Sequence, residues 1–152
     1  MKNQNHDNLP SPNIDEINAT SHDTMVEQLG IRYTLVSKTR VEATMPVDNH
    51  TCQPFGLLHG GASLALAETL AGVGTIIDIN EDERAVGQQV CGNHIASAQK
   101  GDLMRAEAIL IHRGRTSRLW NVDIYSTNEN KLVSTARVLY CIIKKNSPTP
   151  TS

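Results

Sequence analysis

Glu68 is the only charge in GGASLALAETLAGVGTII (60–77), a run that is small or apolar on every side. Taking an ionised carboxylate out of water costs several kcal/mol unless hydrogen bonds, a partner charge or protonation offset it. Two readings are open. One is a structural Glu that reaches the helix rim or bonds neighbouring backbone. The other is a base or nucleophile tuned by its surroundings, as catalytic carboxylates often are. Just upstream, Gln53-Pro54-Phe55-Gly56-Leu57-Leu58-His59-Gly60-Gly61 runs from loop into helix. Free N–H groups at a helix start point outward with a favourable dipole, and glycine lets a ligand come close. Such a donor can hold a developing oxyanion, and losing one typically costs about 2.7–4 kcal/mol in the transition state. Gln53 could add a side-chain amide donor. Taken alone, Gly60-Gly61 is more often a plain loop-to-helix turn, and His59 more often a capping or packing histidine than an acid–base group.

Geometry sets a condition on the sharper reading. Gly60 and Glu68 are eight positions apart, about 12 Å along one helix at ~1.5 Å per residue. One carbonyl cannot be held at one end of that span and attacked from the other. If both groups act on it, they come from two chains with antiparallel helices, so the hypothesis requires a homodimer.

The surrounding elements must position these groups. A helix apolar all round is a buried helix, and Ala62, Ala65, Ala67, Ala71, Gly72 and Gly74 would let a sheet approach it closely. Apolar positions Ile14, Ile17, Met25 and Leu29 permit an earlier helix, ended by Gly30 and interrupted at Thr20, Ser21 and His22. Period-two alternation follows in residues 31–37 and 41–46, then a loop from Val47 to Leu58. Four more strands are expected near 85–98, 102–112, 116–126 and 132–143. In them Met104, Ala106, Ala108 and Leu110 oppose Arg105 and Glu107, while Trp120, Val122 and Ile124 oppose Asn121 and Asp123. KGD (100–102), HRGRTS (112–117) and TNENK (127–131) supply turns for antiparallel hairpins. The fold class is α+β, an antiparallel sheet curled around one central helix. The domain runs over 14–145, between a disordered segment at 1–13 and a flexible tail at 146–152.

Composition narrows the function. At 152 residues the chain is one domain. A net charge of −2 and five aromatic residues supply neither a field nor stacking platforms for nucleic acid. No apolar run is long enough for a membrane span, and the first 24 residues lack the apolar stretch of a signal peptide. Cys52, Cys91 and Cys141 are odd in number and unpatterned, which suits a reducing cytoplasm. No metal is expected, because His50, Cys52 and His59 match no ligand spacing. Gly61-Ala62-Ser63-Leu64-Ala65 misses the serine-hydrolase elbow at its last position, and no GxGxxG or Walker loop occurs.

QPFGLLHGGAS followed by Glu68, with MPVDNHT ahead and GNHIASA (92–98) behind, resembles the hotdog-fold acyl-CoA thioesterases. The similarity runs from about Gly30 to Ile143 and is closest to the group acting on 1,4-dihydroxy-2-naphthoyl-CoA and related aryl-CoA or aryl-carrier-protein thioesters. It implies a curved antiparallel sheet wrapped around one long central helix, with sites at a dimer interface. It also implies Glu68 as nucleophile or general base, the Gly60 amide in an oxyanion hole, and Gln53 and His59 near the carbonyl. His94 would line the acyl pocket, and Thr69, Gly72 and Val73 are further substrate-binding candidates. Gly87, a strand at 94–97 (with Ile95, Ala96 and Ser97) and the hairpin His112-Arg113-Gly114-Arg115-Thr116-Ser117 would meet pantetheine and nucleotide. Arginines there suit a phosphate, and a solvated turn would look the same.

Two positions depart from the family pattern. Gly72, one turn beyond Glu68, stands where relatives often carry a Ser or Thr that positions the attacking water, with Thr69 the hydroxyl that would compensate. Ala96 replaces a basic residue, leaving Arg113, Arg115 or Arg118 to grip phosphate. The expectation is therefore a cytoplasmic thioesterase, dimer or dimer of dimers, acting on an acyl-CoA or acyl-carrier-protein thioester without a cofactor. A hydratase or dehydratase on the same fold, and a non-catalytic acyl-CoA sensor, are the alternatives.

Overall fold

The structure is a computed structural model that describes residues 13–145. Apart from Asn13, the segments expected to be disordered or flexible lie outside the described residues. Alternation becomes strand wherever one face must be buried: β1 (Arg32–Val36), β2 (Arg40–Pro46), β3 (Glu83–His94), β4 (Leu103–Arg113), β5 (Ser117–Ser126) and β6 (Lys131–Lys144). Val41, Ala43 and Met45 of β2, Met104, Ala106 and Ala108 of β4, and Trp120, Val122 and Ile124 of β5 are fully enclosed. The strands form one antiparallel sheet in the order β1-β2-β4-β5-β6-β3. Helix α3 (Gly60–Ile76) touches five of the six, which requires the sheet to curl around it. Gly74 makes the approach possible, since a Cβ there would stand 2.5 Å from the Trp120 ring. The Trp120 indole N–H is satisfied by Thr75 Oγ1 at 3.0 Å, and that hydroxyl donates to the Ala71 carbonyl.

Four expectations need correction. The helix foreseen over 14–29 is two short ones, α1 (Ile14–Ala19) and α2 (Met25–Gln28). Between them Thr20 and Thr24 hydroxyls bond backbone carbonyls and Asp23 takes a positive φ, so side chains compete with the helical ladder. The strand foreseen over 85–98 ends at His94, because the Ile95 and Ala96 N–H groups both turn to the Val133 carbonyl. Lys100-Gly101-Asp102 makes a turn at Gly101 (φ +97) but joins no hairpin, since β3 pairs with β6 and β4 with β2 and β5. Finally, α3 is not enclosed on every side. Leu64, Ala65, Glu68, Thr69 and Val73 are half-buried and Ile76 is 59% exposed, a continuous stripe at helical spacing.

That open stripe borders β3, an edge strand of twelve residues with most side chains exposed. A long edge of unpaired backbone groups is a template for a further strand.

Candidate active site

The loop from Val47 to His59 is firmly built although it contains little regular structure. Buried Thr51 donates to the Pro46 carbonyl at 2.7 Å and accepts the Asp48 N–H, while Leu58 N–H bonds Ala98 and Lys100 N–H bonds Gly56. Gly56 takes φ +79 at the tight turn that closes on the Gln53 carbonyl, as glycine allows. The Gln53 side-chain carbonyl accepts the Phe55 N–H, which leaves its amide N–H groups as the donors on offer. Phe55 itself projects at the loop tip, 88% exposed.

His59 caps the helix. Its Nδ1 accepts the Gly61 N–H at 2.8 Å, so that nitrogen carries no proton and Nε2 is the donor. The capping reading of His59 thus describes its geometry, next to the Gly60 N–H, which bonds nothing among the described residues. Across Gly60 lies the His94 ring, so close that a Cβ on Gly60 would stand 2.5 Å from His94 Nε2. His94 Nδ1 is 3.2 Å from Ser134 Oγ, which fixes the ring's orientation. A cleft of about 370 Å³ opens here. It brings together Gln53, Gly60, His94, Ile95, Ala96 and Ser97, with Leu57, Leu58, Ser63 and Val133, which sequence reasoning did not single out.

Glu68 lies two turns further along α3. Its carboxylate makes no hydrogen bond or ion pair among the described residues, so the backbone-bonded form of the structural reading is not realised, while its half-buried place on the open stripe is that of a side chain reaching the helix rim. Oε1 packs instead against Gly87 of β3. Behind it stands Tyr140 of β6, paired with Gly87 across the sheet, whose hydroxyl donates to the Glu68 carbonyl at 3.1 Å. Burial, and then the Glu68 charge, push the Tyr140 hydroxyl up to about 12, so it keeps its proton at neutral pH. Thr69 and Val73 lie on the open stripe, whereas Gly72 is buried beneath the Tyr140 phenol.

The turn at 112–117 is clipped to the far end of α3. Asp78, just past the helix, holds Arg118 Nε at 2.7 Å and Arg113 at 3.2 Å. Arg118 is buried and spends further donors on the Gly114 and Ser117 carbonyls. Gly114 lets the turn close, since a Cβ would meet Ser117 Oγ at 2.8 Å and the His112 ring at 3.0 Å. His112, Arg115 and Thr116 are exposed, and Arg115 makes no ion pair among the described residues.

The residues singled out from sequence therefore fall into two groups. Gln53, His59, Gly60 and His94 to Ser97 sit at the N-terminal end of α3; Glu68, Thr69, Gly72, Val73 and Gly87 sit midway, with the 112–117 turn beyond. The thioesterase superfamily profile matches residues 55–133, which take in all of these residues but Gln53, with the strands between them. The chain belongs to the thioesterase superfamily. It is 41% identical over 130 residues to the proofreading thioesterase EntH of Cronobacter sakazakii, covering 86% of this chain and 93% of that one. The crystal structure of a Haemophilus influenzae thioesterase superposes with TM-score 0.82 at 35% identity, covering 89% and 93% of the two chains. A mutant thioesterase from Pseudomonas aeruginosa gives 0.83 at 32%, covering 88% and 95%.

The fold is thus the hotdog fold, and the thioesterase is a hydrolase acting on thioesters. No helix among the described residues is long and apolar enough to cross a membrane. Tyr140, which packs on Glu68 and Gly72 of this thioesterase, is a further residue that sequence reasoning did not single out. It lies in Val138-Leu139-Tyr140-Cys141-Ile142-Ile143, where unbroken apolar residues hide which face each side chain takes. Elsewhere, a hollow of about 540 Å³ under α1 and α2 holds none of the residues singled out from sequence. On its rim His22, Asp23 and Glu27 bring possible ligand atoms within 4.8 Å, but all three are exposed and Glu27 already accepts the Asp23 N–H.

Proposed function

We propose that the chain hydrolyses an aryl or short acyl thioester of coenzyme A or of a carrier protein, 1,4-dihydroxy-2-naphthoyl-CoA being one candidate. The observation that carries this is a division of labour along one helix: an unbonded N–H at Gly60 beneath His94 and an unbonded carboxylate at Glu68 against Gly87. The two groups share an exposed edge strand. Antiparallel pairing of β3 with β3 of a second copy, centred near Val90 and Cys91, would set Gly87 beside the partner subunit's His94. Glu68 of one chain would then meet the partner subunit's Gly60, and the half-buried stripe of α3 would be covered at the same time.

In such a site the thioester oxygen accepts the Gly60 N–H, where negative charge grows as the carbonyl carbon becomes tetrahedral. Glu68 takes a proton from water while the water oxygen bonds that carbon. The C–S bond then breaks and the thiolate takes the proton back from Glu68. Products are the free acid and the thiol. The half-exposed cleft lined by Leu57, Leu58 and Val133 suits a compact acyl group. The proofreading role in the EntH name fits hydrolysis of carrier-bound thioesters, and we extend it to this chain as part of the proposal.

The test is a panel of thioesters scored by thiol release: benzoyl-CoA, 1,4-dihydroxy-2-naphthoyl-CoA, acetyl-CoA, a long-chain acyl-CoA and an aryl-loaded carrier domain. Turnover of aryl or short acyl members supports the proposal. Hydration of an enoyl-CoA with no thiol released, or binding with no turnover, overturns it.

A further inference from the structure

Tyr140 joins three elements at one point. Its strand partner is Gly87, its hydroxyl donates to the Glu68 carbonyl at 3.1 Å, and the same oxygen stands 2.6 Å from where a Cβ on Gly72 would be. Gly72 is therefore the vacancy that admits the phenol. On the β3 side, a Cβ on Gly87 would lie 2.5 Å from Glu68 Oε1 and 3.6 Å from Tyr140 Cζ. The carboxylate and the phenol ring both lie close to that one point. A phenol has one proton to give. Here it is committed to the helix backbone, so the lone pairs of the oxygen are left to accept.

We propose that Tyr140 is a positioning residue for the hydrolytic water, which donates one hydrogen bond to Glu68 and the other to the Tyr140 oxygen, and that Gly72 is small so that this oxygen can stand there. The inference rests on the reading that Glu68 acts on water. A water donating to both groups has its remaining lone pair fixed in direction, and orientation of that kind is what a weak nucleophile lacks in bulk. In the step itself the water oxygen bonds the thioester carbon, its proton passes to Glu68, and the C–S bond breaks with the thiolate taking that proton. Tyr140 keeps its own proton throughout. The residues at 72 and 140 then form one unit: either a tyrosine over a glycine or a hydroxyl at 72 over a small residue can supply the acceptor.

The experiment measures kcat and KM for benzoyl-CoA. Tyr140→Phe removes the oxygen and keeps the ring; kcat is expected to fall at least tenfold with KM within about twofold, as loss of a transition-state interaction requires. Gly72→Ser alone drives a side chain into the phenol and also lowers kcat. In the Tyr140→Ala background the space is open, and Gly72→Ser recovers kcat at least fivefold over Gly72→Ala. Those two double variants have nearly equal packing and differ in one hydroxyl, so their ratio stands even where Tyr140→Phe is poorly folded. Equal kcat for the two, or a Tyr140→Phe effect confined to KM, overturns the proposal. Glu68→Gln is run alongside. If that variant retains full activity, the parent reading fails; if it is inactive while Tyr140→Phe is not, only the tyrosine assignment fails.

Discussion

Gly87 and Glu68 are fitted to one another: carboxylate oxygen Oε1 lies 2.5 Å from the point where any side chain at position 87 would begin. Real Cβ contacts are not that short, so a methyl group there must displace the carboxylate. Gly87→Ala is therefore expected to lower kcat by tenfold or more. Because position 87 lies on the edge strand proposed to pair with a second copy, mass in solution is measured alongside to show that the pair persists. A fully active Gly87→Ala enzyme would show that the placement of this carboxylate is immaterial.

Glu68→Gln is expected to lower turnover by about 10²–10⁴-fold, the range for a lost acid–base group, while acyl-CoA still binds. Mixed and refolded with Gly60→Pro, it should recover about a quarter of wild-type activity. Half of randomly formed pairs are mixed, and each mixed pair of a twofold dimer retains one complete site. Steady-state assays of the mixture, with mass measured in solution, check this. Activity no higher than either variant alone removes the composite site.

Gly60 invites a paired comparison. Any Cβ there collides with the His94 ring, so Gly60→Ala and Gly60→Pro disturb that ring alike. Proline is acceptable at a first helical position, and extended His59 (ψ 132) suits a following proline. The two variants thus differ chiefly in the N–H. Gly60→Pro should be slower than Gly60→Ala by about 10²-fold, the effect of one oxyanion donor. Equal rates would remove the amide from the chemistry.

His59→Ala deletes a cap and should destabilise the fold by about 1 kcal/mol, whereas His59→Asn restores an acceptor for the Gly61 N–H and most of that loss. Thermal melts of the three proteins decide it. Identical melting temperatures for His59→Ala and wild type would show that the cap contributes nothing.

Alkali gives a prediction with a definite sign. Burial pushes the Tyr33 and Tyr140 hydroxyls up to about 12, above the ordinary 10. Between those values the unfolded chain loses protons that the folded chain keeps, so stability falls as pH rises through 10 to 12 and is level just below 10 as far as these groups are concerned. Denaturant titrations across that window should show the decline, reduced in Tyr33→Phe and in Tyr140→Phe. A flat profile would mean that neither phenol is held as described.

Much of the fold was legible in the sequence. Where one face must be buried, as at Met104-Ala106-Ala108 and Trp120-Val122-Ile124, alternation announced the strand and its inward side. Glu68 stood out by contrast with its apolar neighbours, and the eight-residue gap to Gly60 requires two chains if both groups act on one carbonyl. What escaped depends on contacts distant in sequence. Arg118 was offered with Arg113 and Arg115 as a grip on phosphate but is buried, because Asp78 forty positions earlier neutralises it. Strand β3 was extended too far since the residue that ends it, Val133, belongs to another strand. Tyr140 looks unremarkable until the fold stacks it on Gly72, which stood out as a departure from the family pattern.

The clip at Asp78 bears on what part of a substrate is discriminated. Of the three guanidinium groups at that turn, one is sealed inside, a second is shared with the aspartate, and Arg115 is the sole uncommitted cation. If the proposed substrate lays its phosphates against this turn, a polyphosphate handle would meet little electrostatic reward, and a pantetheine arm with or without its nucleotide would be held to a similar degree. Selectivity would then fall to the opposite extremity of the molecule, where the shape of the acyl group is sensed.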